Sequence, residues 1–279
     1  MHILIKFERI RFSFMNNNEE LIKVNNLVIE FRDQEVPFRA VDNISFSIKR
    51  GEILGVVGES GSGKSMTALS IAGLLPRKQM HKSGEILFLG DELLGKHRKE
   101  LRKYQGKSIS MIFQEPMTAL NPSMRIGYQV EEGLRIHFDM SKEEMKNKAI
   151  EWIDKVGINN PEIVYKSYPH ELSGGMRQRI MIAAGMITSP ELLIADEPTT
   201  ALDVTTQKEI IDLLLELKKE NNTAIMFISH DLSLIKKLCD RCIVMKNGKI
   251  VEEDDANVIF NHPKEEYTKQ LISAIPTVV

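Results

Sequence analysis

Eight consecutive residues, Gly58-Glu59-Ser60-Gly61-Ser62-Gly63-Lys64-Ser65, carry the densest chemistry in the chain. Their glycines let successive backbone N–H groups curl around an oxyanion, Lys64 adds a long-reaching positive charge, and Ser65 offers a hydroxyl oxygen to a hard cation. The apolar run Ile53-Leu54-Gly55-Val56-Val57 leads into them, and the helix-compatible run Met66-Thr67-Ala68-Leu69-Ser70-Ile71-Ala72 leaves. Strand, loop and helix in that order are the setting of the G-x-x-x-x-G-K-[ST] phosphate loop, with the positive end of the helix dipole aimed at the anion. The cradle expected is Gly58 through Ser65 with Met66 beyond it. Lys64 is assigned to the β- and γ-phosphates of a nucleoside triphosphate and Ser65 to Mg²⁺.

Three further stretches have residue types that would complete such a site. Leu192-Leu193-Ile194-Ala195 is apolar throughout and ends at Asp196-Glu197, so the spacing predicts a buried strand delivering two carboxylates. Asp196 is assigned to Mg²⁺ and Glu197 to the attacking water as general base. Ser108-Ile109-Ser110-Met111-Ile112-Phe113 delivers Gln114, placed to reach Mg²⁺ or that water, because ligands of α/β sheets sit off the carboxyl ends of strands. Thr223-Ala224-Ile225-Met226-Phe227-Ile228-Ser229 likewise ends in His230, positioned to hydrogen-bond a γ-phosphate and sense its loss.

Leu172-Ser173-Gly174-Gly175-Met176-Arg177-Gln178 precedes another helix-compatible run. Ser173, Gly174 and Gly175 at a helix start make a second anion cradle, and Gln178 is counted with it. One chain has no use for two cradles on one triphosphate, so the second is surplus unless it grips a different nucleotide. Asp203, after Thr200-Ala201-Leu202, is predicted to cap the next helix and is counted among the nucleotide-binding candidates. Phe31 is a candidate to stack on the base, with Phe38 competing for the same role.

These residues need a scaffold, and the hydrophobic patterning supplies one. Leu27-Val28-Ile29-Glu30-Phe31, Ile44-Ser45-Phe46-Ser47-Ile48 and Ser83-Gly84-Glu85-Ile86-Leu87-Phe88 alternate as half-buried strands do, predicting an antiparallel β subdomain. Between about residues 115 and 172 helices dominate, and an inserted α-helical subdomain is expected. Within it Ser141-Lys142-Glu143-Glu144 reads as a capping box, and Met145, Ala149, Trp152, Ile153 and Val156 line one face of the helix that follows. Met117, Leu120 and Met124 are either core or a flexible apolar surface for a partner. Ile243 to Val251 is a hairpin on Asn247-Gly248. The fold class predicted is α/β: a P-loop (RecA-like) ATPase core with an antiparallel β subdomain and an inserted α-helical subdomain.

Composition narrows the partners. Among 279 residues, 42% are hydrophobic and 27% charged, with a formal net charge of −2 and no block of like charge. A dedicated nucleic-acid binder would carry a basic stripe, so no nucleic-acid partner is expected. No apolar run reaches the ~18–20 residues that span a bilayer, so membrane association is expected to go through a partner. Residues 1–20 lack the pattern of a signal peptide and read as a dispensable extension or as a start placed upstream of Met15. Cys239 and Cys242 are the two cysteines. Neither a zinc set nor a redox setting surrounds them, and two small, reduced, partly buried side chains are expected.

The order of phosphate loop, Gln114, Leu172 to Gln178, Asp196-Glu197, Thr200 to Asp203 and His230 resembles the ATP-binding subunits of ABC transporters over nearly the whole chain, from about Leu21 to Ile250. The Ser173-Gly174-Gly175 turn separates that family from other P-loop ATPases. Phe113-Gln114-Glu115-Pro116-Met117-Thr118-Ala119-Leu120-Asn121-Pro122 and Tyr168-Pro169-His170-Glu171-Leu172 are similar to the oligopeptide, dipeptide and nickel importer branch, as are His262-Pro263 and Tyr267-Thr268. Members of the peptide branch often extend further, with a cysteine-bearing segment that this sequence does not carry.

The resemblance implies an ATPase domain over residues 21–255 with a short extension over 256–279. It implies ATP and Mg²⁺ as ligands and a head-to-tail pair with a second ATP-binding subunit, identical or related. It also implies permease subunits that span the membrane, a solute-binding protein outside it, and a peripheral place on the cytoplasmic face of the cell membrane. The function implied is ATP-driven import of di- or oligopeptides. Import of metal or a nickel-type chelate is the alternative, and a soluble ABC ATPase acting on nucleic acid or ribosomes is a remoter one.

Overall fold

The computed structural model describes residues 19–31, 38–75, 80–114, 119–200 and 202–274. They fall into two compact units, one built from the chain up to Lys96 and again from Asn222 onward, the other from His97–Asn221. In the first unit β1 (Glu20–Phe31) pairs antiparallel with β2 (Phe38–Lys49). Leu21, Ile22, Val24, Leu27 and Ile29 of β1 and Val41, Ile44, Phe46 and Ile48 of β2 are buried, so one sheet face is apolar as the alternation predicts. β3 (Ile53–Val57) is buried at every position, and α1 (Lys64–Ile71) follows it across the phosphate-loop sequence. β4 (Met80–Phe88) pairs with β1 and β5 (Asp91–Glu92) with β4, giving a four-stranded antiparallel sheet in the order β2-β1-β4-β5.

The second unit opens with α2 (Arg98–Leu101) and β6 (Ile109–Ile112). It continues with α3 (Ile126–Val130), α4 (Glu132–His137), α5 (Lys142–Lys155), α6 (Pro161–Lys166), α7 (Gly174–Met186), β7 (Leu192–Asp196) and α8 (Val204–Asn221). The capping box starts α5 as the sequence predicts: Glu144 N–H donates to Ser141 Oγ at 3.2 Å, and Ser141 N–H to the Glu144 carboxylate at 2.8 Å. Met145, Ala149, Trp152, Ile153 and Val156 are all buried. Leu120 is buried in this unit too, which removes it from the apolar surface considered for a partner. Met124 is half-buried, and Met117 lies outside the described residues.

A polar knot fixes the helices of this unit. The buried carboxylate of Glu131 accepts from the Tyr165 hydroxyl and, at 3.1 Å, from Arg135, whose guanidinium lies 3.5 Å over the Tyr128 ring. Burial and the Glu131 carboxylate push the Tyr165 phenol up to about 12. The pinned ring lies against Gly127, where a Cβ would come 2.2 Å from it. Gly127→Ala is therefore expected to destabilise the protein by about 1–3 kcal/mol, as overpacking does. Urea denaturation reads the loss, which shrinks when Tyr165→Ala supplies the space.

The chain then returns to the first unit with β8 (Ala224–Ile228), α9 (Leu232–Leu238), β9 (Arg241–Lys246), β10 (Lys249–Asp255), α10 (Ala256–Asn261) and α11 (Glu266–Ser273). β3 runs parallel to both β8 and β9, and β10 returns antiparallel on β9. A strand paired on both edges and buried at every position must be apolar throughout, which is why β3 shows no alternation. Asn247 and Gly248 both have positive φ, 49° and 78°, as the type I′ hairpin turn between β9 and β10 requires. Cys239 and Cys242 are buried and unbridged; burial raises the Cys239 thiol and pushes Cys242 up to about 12, so both stay protonated.

Arg241 ties β9 to the segment before β3. It meets the buried Glu52 carboxylate at 2.7 Å, donates to the Ser47 carbonyl at 3.3 Å and pairs with Glu253. Arg241→Ala strands the Glu52 charge, and a loss of roughly 3 kcal/mol is expected, the lower end for breaking a buried pair. The midpoint of guanidinium denaturation checks it.

Candidate nucleotide site

Parallel pairing decides where the candidate residues of the first unit lie. Val56 of β3 is in register with Ile228 of β8, so the phosphate loop and His230 leave the same edge of the sheet. The loop has the shape that its glycines predict. Gly58 and Gly63 sit at φ 147° and 102°, and a Cβ would come 2.2 Å from the Met245 carbonyl oxygen at the first and 2.5 Å from that of Ala40 at the second. Gly61 faces open space. Ser62 and Lys64 are buried, while Glu59, Ser60, Gly61 and Ser65 are exposed. The Lys64 ammonium is folded back into the loop and donates to the carbonyl oxygens of Gly58 at 2.8 Å and Glu59 at 2.9 Å. A buried cation resting on carbonyl dipoles in a glycine loop that opens a helix is a site built for an anion. Met66 follows in the first turn of α1, its carbonyl accepting from the Ser70 hydroxyl at 2.7 Å.

His230 is exposed beyond the buried Ser229, and Asp231 caps α9 by accepting from Ser233 N–H at 2.9 Å. Phe31 and Phe38, the two candidates for stacking on a base, face each other across the β1–β2 register with ring centroids 6.5 Å apart. They form one aromatic pair at the sheet end, and Phe38 is 52% exposed.

The second unit brings Gln114 and Glu197 together. Ile112 of β6 and Ala195 of β7 are in register, and the residues two positions on meet as a hydrogen bond, Gln114 Nε2 donating to Glu197 Oε2 at 2.8 Å. The Thr200 hydroxyl donates to the same oxygen at 2.9 Å. Sequence reasoning gave Thr200 no role of its own; a hydroxyl three residues past an acid at a strand end was the available signal. Glu197 has φ 49°, a left-handed backbone that costs a non-glycine residue on the order of 1 kcal/mol, so the turn is held by its surroundings. Asp196 is buried as the last residue of β7.

The Ser173 hydroxyl caps α7 by accepting from Met176 N–H at 3.2 Å, and Ser173 and Gly174 are exposed with nothing near a Cβ built on Gly174. At Gly175 there is less room, since a Cβ there would come 3.0 Å from the Thr206 methyl. Gln178 faces inward with 1% exposure. Asp203 caps α8, accepting from Thr206 N–H at 3.0 Å and from its hydroxyl at 2.7 Å, and these bonds hold its carboxyl below the usual range. Ala201 and Glu115 to Thr118 lie outside the described residues.

A family model described as ABC transporter matches residues 41–200, which span the phosphate loop, the Ser173 turn and the Asp196-Glu197 strand end. The chain belongs to the ABC transporter family. Among its relatives in that family is the dipeptide transport ATP-binding protein DppD of Escherichia coli (strain K12), 46% identical over 256 residues, which are 92% of this chain and 78% of that protein. The oligopeptide transport ATP-binding protein OppD of Bacillus subtilis (strain 168) is 46% identical over 259 residues, 92% of this chain and 72% of that protein. The dimeric, ADP- and phosphate-bound structure of the ATP-binding cassette MJ0796 superposes with a TM-score of 0.76 at 28% identity, covering 84% of this chain and 98% of that one. The mixed architecture of this ABC chain is that of the family's ATPase cassettes.

Proposed function

We propose that this chain is the ATP-hydrolysing subunit of an import system for di- and oligopeptides. The observation that carries hydrolysis, beyond nucleotide binding, is the Glu197 carboxylate held one residue past a buried strand by Gln114 and Thr200. A carboxylate fixed in this way accepts a proton from the attacking water as general base. The Lys64 ammonium moves from its loop carbonyls to the β- and γ-phosphates, and the loop N–H groups beyond Glu59, up to Met66, take the remaining oxygens. His230 hydrogen-bonds the γ-phosphate. The Phe31–Phe38 pair supplies an aromatic face for the base.

The exposed Ser65 hydroxyl and the Asp196 carboxylate are hard oxygen donors of the kind Mg²⁺ takes, and they fit that ion. Held by them, Mg²⁺ would neutralise charge on the phosphate oxygens. The cap made by Ser173, with Gly174 and Gly175, presents N–H groups to the ATP of a second ATP-binding subunit, identical or related, and Gln178 and Asp203 support the same face. Closure of the pair on ATP drives permease subunits that span the membrane, and a solute-binding protein delivers the peptide. The chain itself sits peripherally on the cytoplasmic face. No described helix is long and apolar enough to cross a membrane, in keeping with that place.

Peptide as cargo is supported by the dipeptide and oligopeptide transport relatives. The test is growth of a strain that lacks this chain and cannot make one amino acid. Supplied with that amino acid only within di- or oligopeptides it is expected not to grow, while the free amino acid restores growth. Undiminished growth on the peptides, in a strain with no second peptide importer, would remove peptide from the proposal.

A further inference from the structure

The backbone of Glu59 is held both from within the phosphate loop, where its carbonyl oxygen also accepts from Ser62 N–H at 3.2 Å, and from outside it. Its carbonyl oxygen takes the Lys64 ammonium at 2.9 Å, and its N–H donates to the Tyr267 hydroxyl at 3.1 Å. Tyr267 belongs to α11, 208 residues further along the chain and beyond the matched span of 41–200. It is 8% exposed, and the Lys246 ammonium, at the end of β9, lies 4.2 Å from the centroid of its ring. The entry to α11 is fixed as well. The buried Glu252 carboxylate accepts the N–H groups of Lys264 at 2.8 Å and Glu265 at 3.1 Å, and Lys264 pairs with Asp254 at 2.8 Å.

We infer that Tyr267 is a positioning residue for nucleotide binding, holding the phosphate loop in its ATP-ready conformation from the C-terminal helix. The inference rests on the reading of Gly58 to Ser65 as the ATP site. Lys64 has to leave the Gly58 and Glu59 carbonyls to reach a phosphate, which releases the side-chain grip on the Glu59 carbonyl at the moment of binding. The grip by Tyr267 uses no group that ATP needs from Lys64, so it persists. A loop kept in place this way binds without first having to be ordered, and losing the grip returns that ordering cost to the binding step. Burial and the neighbouring Glu59 carboxylate raise the Tyr267 phenol, which keeps the hydroxyl neutral across the physiological range.

Tyr267→Phe removes the hydroxyl and keeps the ring under Lys246. In the full chain, titrated with Mg·ATP by calorimetry, it is expected to weaken affinity by roughly three- to tenfold, the size of one hydrogen bond. In the complex assembled with permease, KM for ATP is expected to rise by the same factor while kcat at saturating ATP stays at the wild-type value. A residue that only stabilised the fold would lower the thermal midpoint and the active fraction, hence kcat, and leave affinity alone; that outcome overturns the inference, as does unchanged affinity in a folded variant. Absence of ATP binding in the wild type would instead overturn the assignment of the site itself.

Discussion

Glu197→Gln is expected to leave ATP binding intact and to cut turnover by roughly 10²–10⁴-fold, the range for removal of a general base. The substitution is close to isosteric. The amide oxygen can still accept from Gln114 Nε2 and the Thr200 hydroxyl, which both donate to one carboxylate oxygen in the wild type. What is lost is the ability to take a proton. The left-handed backbone at position 197 is as accessible to glutamine as to glutamate, so the turn survives. The assembled subunits should therefore accumulate in the closed, ATP-loaded state, because closure depends on the γ-phosphate and hydrolysis is what releases it. Phosphate release in single turnover, with ATP retention on a gel filtration column, separates the two effects. Turnover at the wild-type rate would exclude Glu197 as the base. Gln114→Ala is the informative companion: it removes a donor that orients the carboxylate but not the base, so its loss should be the smaller.

The comparison of sequence with fold divides along the range of the interactions involved. Local chemistry was legible: the phosphate loop, the Ser141 capping box, the Asp203 cap and the Asn247-Gly248 hairpin are all set by residues a few positions apart, and each is where the spacing places it. The Gln114–Glu197 hydrogen bond was not: the sequence places each residue off the carboxyl end of its own strand, and the β6–β7 ladder is what makes them neighbours.

Strand extent was legible only in part. β1 begins at Glu20, well before Leu27, since the polar pair Asn25-Asn26 interrupts the alternation while a register shift and the positive φ of Asn26 carry the strand across it. Long-range contacts left no trace in the spacing. Nothing near Gly127 announces the Tyr165 ring against it, and nothing near Glu59 announces Tyr267. Leu120, left open between core and partner surface, is buried, for an apolar side chain after a proline-broken stretch looks the same in either setting.

Lys64→Ala is expected to weaken ATP affinity by about 10²-fold or more. The lysine contributes charge-assisted hydrogen bonds to phosphate oxygens, worth ~1.5–3 kcal/mol each, so losing two such bonds accounts for at least that factor. The resting structure adds a second consequence. Lys64 is 7% exposed and bridges the Gly58 and Glu59 carbonyls, so its removal takes an ammonium partner from two loop carbonyls, of which Glu59 keeps only the Ser62 N–H, and loosens the loop. Lys64→Arg distinguishes the two contributions. It restores a cation, but the planar guanidinium cannot follow a flexible stem into a pocket shaped for a point charge, and the Ala40 and Met245 carbonyls that crowd Gly63 and Gly58 leave the loop little room to widen. Affinity in the arginine variant should thus stay nearer to alanine than to wild type. Titration with Mg·ATP at two salt concentrations checks both variants: the wild type should lose affinity with salt and Lys64→Ala much less, because the charge that salt screens is gone. Equal salt dependence in the wild type and the alanine variant would mean that Lys64 does not meet the phosphates.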